Sequence, residues 1–412
     1  MSNSILVVGG GFSGLTAAIE AAELGYDVYI IEKTPFLGGR VAQLNKYFPK
    51  LCPPSCGLEI QFQRIRNNPR IKFFTQAELV SVSGSKGKYT AKICIQPRHT
   101  VPHSVDLSLL ASTLEGETPS EFEFGLAPRK ALYRSMPFAF PGRYVLDPST
   151  LTNKDKVRLA NAGGCVLQEK AKELVLEVGS IVVATGWKPY DVTRLTNLGA
   201  GKVANCVSNM QLERLASPFG PSQGKVKRPS DGRVPRNVAF VQCAGSRDQN
   251  HLNFCSYICC MASLKQALYL SEQDPEMRIT IFYIDLRTPG RYMNVLEKVK
   301  AAPNVRFVKG KVAEVSEDSA TGNVLLVAED AVRGEKLSLN FDMVVLATGM
   351  QPTLAGEKLP LPVTLDEDGF VVSGEEAGIF AAGCARMPLD VMRSAQSGTS
   401  AAMKAVQTVK GR

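Results

Sequence analysis

No run of about 18 consecutive apolar residues occurs in the 412-residue chain, so no segment is suited to span a membrane as a helix. A secretory leader is not expected either: the first apolar stretch, Ile5 to Gly11, breaks at glycines. Aromatic residues are scarce, at 7%, and do not alternate with basic ones; Lys and Arg are dispersed, with no long basic run. This argues against a nucleic-acid surface despite the net charge of +9, and leaves a docking face for partners, or no special role, as the reading of the basic balance. Charged residues at 21% against 44% hydrophobic exclude a disordered chain, and the length allows two or three domains. Cysteine, by contrast, is plentiful. Ten cysteines without a leader point to a reducing compartment, where they bind metal, act in catalysis or lie buried.

The first motif is a dinucleotide cradle. Ser4 to Val8 is an apolar run suited to a central parallel strand. Gly9, Gly11 and Gly14 then form G-x-G-x-x-G, an Ala-rich helical stretch runs from Leu15 to Leu24, and Tyr26 to Ile31 reads as the next strand, closed by Glu32. The three glycines do different things. Gly9 permits the tight turn, Gly11 the approach of backbone to a pyrophosphate, and Gly14 the packing of helix on strand. The helix N-terminus offers free N–H groups to phosphate, and Glu32 can accept from ribose hydroxyls. FAD rather than NAD is favoured by Leu37-Gly38-Gly39-Arg40, which resembles the Gly-Gly loop of flavoproteins with two dinucleotide domains. Two strand-then-ATG segments, Ser180–Gly186 and Met343–Gly349, fit the same plan, as does Gly378–Cys384, where Cys384 stands in place of the usual Asp. The helical stretch Ser394–Ala402 follows, with its N-terminus towards the flavin. The candidate FAD contacts are Gly9, Gly11, Phe12, Ser13, Gly14, Glu32, Lys33, Gly38, Gly39, Arg40, Gln43, Val80, Ala184, Thr185, Gly186, Gly383 and Cys384.

A second βαβ unit is expected from the strand Asn237–Gln242, a helix over Ser256–Leu270 and the strand Ile279–Ile284. Its loop, Cys243-Ala-Gly-Ser-Arg247, lacks the glycines that let backbone approach a pyrophosphate, which argues against NAD(P)H binding. Cysteines stand there instead. Cys243, Cys255, Cys259 and Cys260 form C-x11-C-x3-C-C; on a helix Cys255 and Cys259 share a face and Cys260 is rotated by roughly 100°. Four converging thiolates can hold a [4Fe–4S] cluster. Zinc is an alternative, though its paired C-x2-C knuckles are absent, and inert buried thiols are the third reading. His251 is an alternative ligand.

The set of C-x11-C-x3-C-C after a second-domain strand, GGRVAQLNKYFP, and GCA in place of GDA resembles the A subunit of heterodisulfide reductase, within it the branch serving the quinone-interacting membrane-bound oxidoreductase of sulfate reducers. The likeness covers nearly the whole chain and is most specific over Leu37–Pro49, Gly125–Tyr133 and Val241–Met261. It implies an FAD subunit in a cytoplasmic module held at the inner face of the membrane by partners. Electrons pass there between menaquinol and adenylylsulfate reductase, with sibling flavin and iron–sulfur subunits and a membrane haem protein. It makes Cys243, Cys255, Cys259 and Cys260 the cluster ligands. The longer archaeal subunit's C-x2-C-x2-C-x3-C-P is absent, so other subunits must continue the electron route.

The expected fold is α/β, a two-dinucleotide-domain, Rossmann-like flavoprotein with an insertion and a degenerate NAD-like domain carrying cysteines. The divisions are 1–95 with 178–195 (FAD domain), 96–177 (insertion), 196–236 (linker, Pro/Gly/Lys-rich from Ser217), 237–350 (NAD-like) and 351–412 (closure of the FAD domain). No acid–base catalytic residue is required. Cys52-Pro-Pro-Ser-Cys56 reads as a turn, since two prolines oppose a helix, and is a structural loop, a redox disulfide or a partner-facing pair. Thr113–Glu123 reads as an acidic loop, and Arg129-Lys130 near Tyr133 as a basic loop or a flavin neighbour.

Overall fold

The computed structural model describes residues 2–48, 50–357, 359–374 and 376–411. Pro49, the last residue of the Leu37–Pro49 segment, lies outside the described residues, as do Met1 and Arg412 at the ends of the first and last divisions and Lys358 and Glu375.

Two five-stranded parallel sheets form the frame. In the first, β1 (Ser4–Val8) is central, with β2 (Asp27–Glu32) and β3 (Ile71–Thr75) on one side and Ser180–Val183 and Ile379–Ala381 on the other. β1 is apolar almost throughout because both faces are covered. Ile5 and Val7 pack towards α1 (Phe12–Glu23) and the C-terminal helix Val391–Lys410. Leu6 and Val8 pack towards an antiparallel layer made of Ala77–Ser85, Lys88–Ile95 and Lys172–Val178. The helix crossing is built from small residues: a Cβ on Gly398 would overlap the Ser13 carbonyl oxygen.

The second sheet repeats the plan in the order Cys206–Ser208, Met343–Thr348, Asn237–Ala244, Arg278–Tyr283, Val305–Lys309. Val238 and Phe240 pack on the helix Cys259–Gln273; Ala239 and Val241 pack on three antiparallel strands within residues 312–341. The two strand-then-ATG segments meet where Trp187–Pro189 pairs antiparallel with Met350–Pro352.

Several local expectations differ from what the chain does. The segment 196–236 is not all linker: Cys206–Ser208 is the second sheet's edge strand, and Ser208 and Gln211 form a capping box on the helix Asn209–Ala216. The end of the insertion, Lys172–Val178, belongs to the first antiparallel layer, while the rest gathers its own core from Leu110, Leu114, Leu132, Leu146 and Leu159. Cys52–Cys56 does not form a simple turn: a helix, α2 (Pro54–Asn67), begins at Pro54. Proline is tolerated at the first helical position because that N–H has no intrahelical acceptor. The second-domain helix starts at Cys259, three residues later than Ser256, so Cys255 lies in the loop and shares no helical face with Cys259. Among the described residues no helix is long and apolar enough to cross a membrane.

Candidate functional site

A cavity of about 530 Å³ lies between the two sheets, within the range of cofactor sites. Its floor is the turn from β1 into α1: Gly9, Gly11, Phe12 and Ser13 line it. The α1 N-terminus has no side-chain cap, so its first N–H groups are open to a ligand. The glycines divide the work as their spacing suggests. A Cβ on Gly9 would overlap the Ala184 carbonyl, and one on Gly14 would overlap the Gly9 carbonyl. A Cβ on Gly11 would meet nothing nearer than the Gly39 Cα at 3.9 Å, so it would stand in the cavity itself. The Gly-Gly loop closes over this floor, with the Gly38 N–H donating to the Gly10 carbonyl at 2.8 Å.

Glu32, Lys33, Gly39, Arg40, Gln43, Ala184, Thr185, Gly186 and Cys384 all reach the lining. Gly14, Gly38 and Gly383 support it from behind; a Cβ on Gly383 would crowd Ser13. Val80 is placed elsewhere: it sits at a bulge between Leu79 and Ser81, is 44% exposed, and does not line the cavity. The bulge turns it out to solvent. The buried Cys384 thiol is pushed up to about 11 by burial, and its sulfur lies 3.5 Å from the Leu389 carbonyl and 3.8 Å from the Ser394 hydroxyl. It is a neutral thiol, not a carboxylate acceptor. Three buried polar atoms on the lining, Thr185 Oγ1, Arg129 Nη1 and Gln266 Oε1, have no hydrogen-bond partner among the described residues. Orphaned polar atoms, an uncapped helix end and a cradle that a Cβ would fill together fit a large polar cofactor such as FAD.

Glu32 accepts from the Gly10 N–H at 2.7 Å and from the Thr34 N–H at 2.8 Å. Burial holds its carboxyl above the ordinary 4.5, opposed by those donors and by Arg40. A carboxyl raised on folding binds its proton more tightly in the folded chain. Its contribution is therefore fully present below 4.5 and lost as pH rises through the folded value. Glu32→Gln should thus gain thermal stability relative to the flavin-free parent as pH rises from about 5 to about 8, as melting curves at both ends would register.

Other wall residues are held by contacts that form only in the tertiary fold. Arg129 pairs with Asp147 at 2.9 Å, and its guanidinium stacks 4.0 Å from the Tyr133 ring centroid, so it is fixed at the cavity and is no solvated loop. Lys130 instead pairs with Glu117 at the surface. The acidic stretch is also anchored: Phe122 is buried, and Glu123 pairs with the buried Arg214 at 2.9 Å. Also on the wall, Lys265 and Glu213 form a buried ion pair at 3.0 Å. Glu213 also accepts from the Asn45 N–H and from Gln266, and Lys265 donates to the Lys46 carbonyl. No local motif announces a pair drawn from separate helices.

The four second-domain cysteines gather beyond this wall. Cys243, next to last in the strand Asn237–Ala244, has φ +56°, and Arg247 and Tyr257 are also left-handed, at +56° and +64°. Non-glycine residues held so are strained, and strain of about 1–3 kcal/mol each persists where function needs the geometry. The loop of residues 245–258 replaces the short glycine turn of the first domain, and the Tyr190 ring lies against Gly245. Burial pushes the Cys243, Cys259 and Cys260 thiols up, Cys260 to about 11, and each is raised further by neighbours in the set; Cys259 feels the other three. Such mutual influence requires proximity. Among the described residues no three His, Cys, Asp or Glu close in tightly enough to chelate a single ion. His251 is not in the group; its Nδ1 is 2.8 Å from the Tyr190 hydroxyl. The two sites share a partition, for Ile258, Ala262, Lys265 and Gln266 line the cavity from the segment that carries Cys259 and Cys260.

Comparison with known proteins accords with this geometry. A family model described as FAD dependent oxidoreductase matches residues 4–50. The chain is 35% identical to the second iron–sulfur A subunit of the CoB–CoM heterodisulfide reductase of Methanopyrus kandleri, over 98% of this chain and 64% of that protein. It is 33% identical to the A subunit of the ferredoxin/F420H2-dependent CoB–CoM heterodisulfide reductase of Methanosarcina acetivorans, over 98% of this chain and 53% of that protein. The chain thus spans between about half and two thirds of these relatives. Among solved structures, thioredoxin reductase of Lactococcus lactis superposes with a TM-score of 0.56 at 12% identity over 100% of both chains, a likeness of fold. Over nearly its whole length the chain is HdrA-like, similar to the A subunits of heterodisulfide reductases, and its residues 4–50 match FAD-dependent oxidoreductases.

Proposed function

We propose that this chain is an electron-transfer subunit of a heterodisulfide-reductase-like oxidoreductase, with FAD in the cavity over Gly9–Gly14 and a [4Fe–4S] cluster on Cys243, Cys255, Cys259 and Cys260. The observation that carries this reading is the shared partition: one segment supplies Ile258, Ala262, Lys265 and Gln266 to the cavity and Cys259 and Cys260 to the thiol group. FAD, when bound, interchanges one- and two-electron transfers, and a cubane cluster handles electrons singly. The chain's own part is positional and electrostatic. The uncapped α1 N-terminus meets phosphate, and Arg40, Arg129 and Lys265 bring positive charge to the wall. Lys265 Nζ, held by Glu213, keeps a charged donor there without solvent.

In the finer reading, sibling flavin and iron–sulfur subunits and a membrane haem protein hold the chain at the inner face of the membrane. Electrons then run between menaquinol and adenylylsulfate reductase. That reading rests on the resemblance over residues 37–49, 125–133 and 241–261. The competing activity, NAD(P)H-dependent disulfide reduction through Cys52 and Cys56, has one supporting observation: burial raises the phenol of Tyr47, which lines the cavity, and both thiols lie close enough to raise it further. Anaerobic, flavin-loaded protein should be bleached by reduced viologen and unchanged by NADH or NADPH. Rapid bleaching by either nicotinamide would replace the electron-transfer reading with the disulfide-reductase one.

A further inference from the structure

We propose that the surface over the four-cysteine group is the docking face for a small, acidic electron-carrier protein. The proposal rests on the cluster reading above for its purpose, though not for its geometry. Three segments converge there: the cysteine loop, residues 284–293 and residues 386–393. The Cys260 sulfur lies 3.7 Å from the Asp285 carbonyl and accepts from the Arg287 backbone. The Tyr257 hydroxyl lies 3.5 Å from Asp390, and the Arg393 guanidinium stacks 4.9 Å from the Tyr257 ring centroid. The Tyr292 phenol stands within reach of the charges on Asp390 and Arg393, which ties the middle segment to the last.

What this junction shows to solvent is unlike the rest of the surface. Met293 is 57% exposed, Met387 47%, Met392 43% and Ile284 36%. The cations beside them, Arg287, Arg291, Arg386 and Arg393, are all arginines, and residues 284–293 and 386–393 contain no lysine and no glutamate. Methionine and arginine are the types enriched at interfaces, lysine and glutamate the types depleted there. Methionine adapts to a partner's contour, and arginine's planar fork pairs with carboxylates. The two acids present are already engaged: Asp285 pairs with Arg247 and Arg287, and Asp390 is buried and caps the C-terminal helix. Arg291 and Arg386 make no ion pair among the described residues. The face therefore carries unbalanced positive charge around an apolar, methionine-rich centre. An acidic partner complements it, whereas a second copy docked about a two-fold axis would set arginines against arginines. A carrier seated here would lie directly over Cys260 and Tyr257, which gives it access to electrons at the thiol group. Such encounters are small and transient, so charge governs their rate.

The test uses the full chain, loaded with FAD and handled anaerobically, and a purified acidic ferredoxin as probe. Binding is measured by calorimetry at ionic strengths of about 0.01 M and about 0.15 M. Wild-type binding should weaken as salt rises. The double variant Arg291→Glu/Arg386→Glu should weaken it about tenfold or more at low salt while flavin and iron contents stay unchanged. Lys225→Glu/Lys227→Glu, an equal charge change on exposed residues of another segment, should stay close to wild type. No wild-type binding at low salt, an unchanged arginine variant, or equal loss in both variants would each overturn the docking face. If the purified chain lacked iron yet only the arginine variant lost ferredoxin, the face would stand and the cluster assignment would fall.

Discussion

Gly11→Val should give a chain that folds but does not retain FAD. The Gly11 backbone, at φ −76° and ψ 179°, is extended and open to any residue, so valine imposes no backbone strain. Its side chain would enter open cavity space at the α1 N-terminus, where the nearest atom to the first added carbon is 3.9 Å away. That is the space a pyrophosphate needs to reach the helix N–H groups. The flavin-to-protein ratio after gel filtration should fall to near zero, with the melting temperature matching flavin-free wild type. Gly14→Ala serves as the contrast. Its Cβ would overlap the Gly9 carbonyl oxygen, so it should cost about 1–3 kcal/mol of stability in the flavin-free protein as well. Retention of flavin by the Gly11 variant would place the cofactor elsewhere.

Cys259→Ser should remove the iron and leave the flavin. Cys259 is 6% exposed, and burial together with Cys243, Cys260 and Cys255 pushes its thiol well up, so without metal it is a neutral, packed group. A cluster's positive charge reverses that balance by stabilising thiolates. Serine fills nearly the same space, and the fold should lose under about 1.5 kcal/mol. A serine hydroxyl does not ionise at neutral pH, and the loss of one ligand should exceed the roughly 10–100-fold fall in metal affinity typical of outer-shell changes. Cys206→Ser is the matched control: Cys206 is also buried in an apolar core, and its thiol, pushed up to about 12 by burial, donates to the Leu198 carbonyl. Iron analysis and visible spectra of the two variants, side by side, give the comparison.

The first nucleotide unit is legible in the sequence because its signals are local. A five-residue, largely apolar run, three spaced glycines and a terminal acid lie within Ser4–Glu32, and sterics require glycine at Gly9 and Gly14. The four cysteines are legible by type and spacing, but their geometry is not. Cys243 and Tyr257 adopt left-handed backbone that no sequence rule assigns to Cys or Tyr, so the pattern suggests a regular helix through Cys255 where the chain forms a loop. Pro53-Pro54 reads as a breaker when it is a starter, since the same missing N–H that interrupts a helix costs nothing at its first turn. The edge strand Cys206–Ser208 is three residues long, too short for periodicity to register, although Ser208 with Gln211 already spells a capping box. Val80 escapes any reading by strand alternation because a one-residue bulge reverses which side chains face inward. The Lys265–Glu213 pair depends on two helices meeting, information that exists only in the tertiary fold.

The most direct measurement is the iron and flavin content of the anaerobically purified, reconstituted chain, read with its low-temperature spin-resonance spectrum after reduction. The account predicts one flavin and about four irons per chain, with a cubane signal that Cys259→Ser abolishes. Stoichiometric flavin with no iron, or a cluster signal untouched by the serine variant, would contradict it.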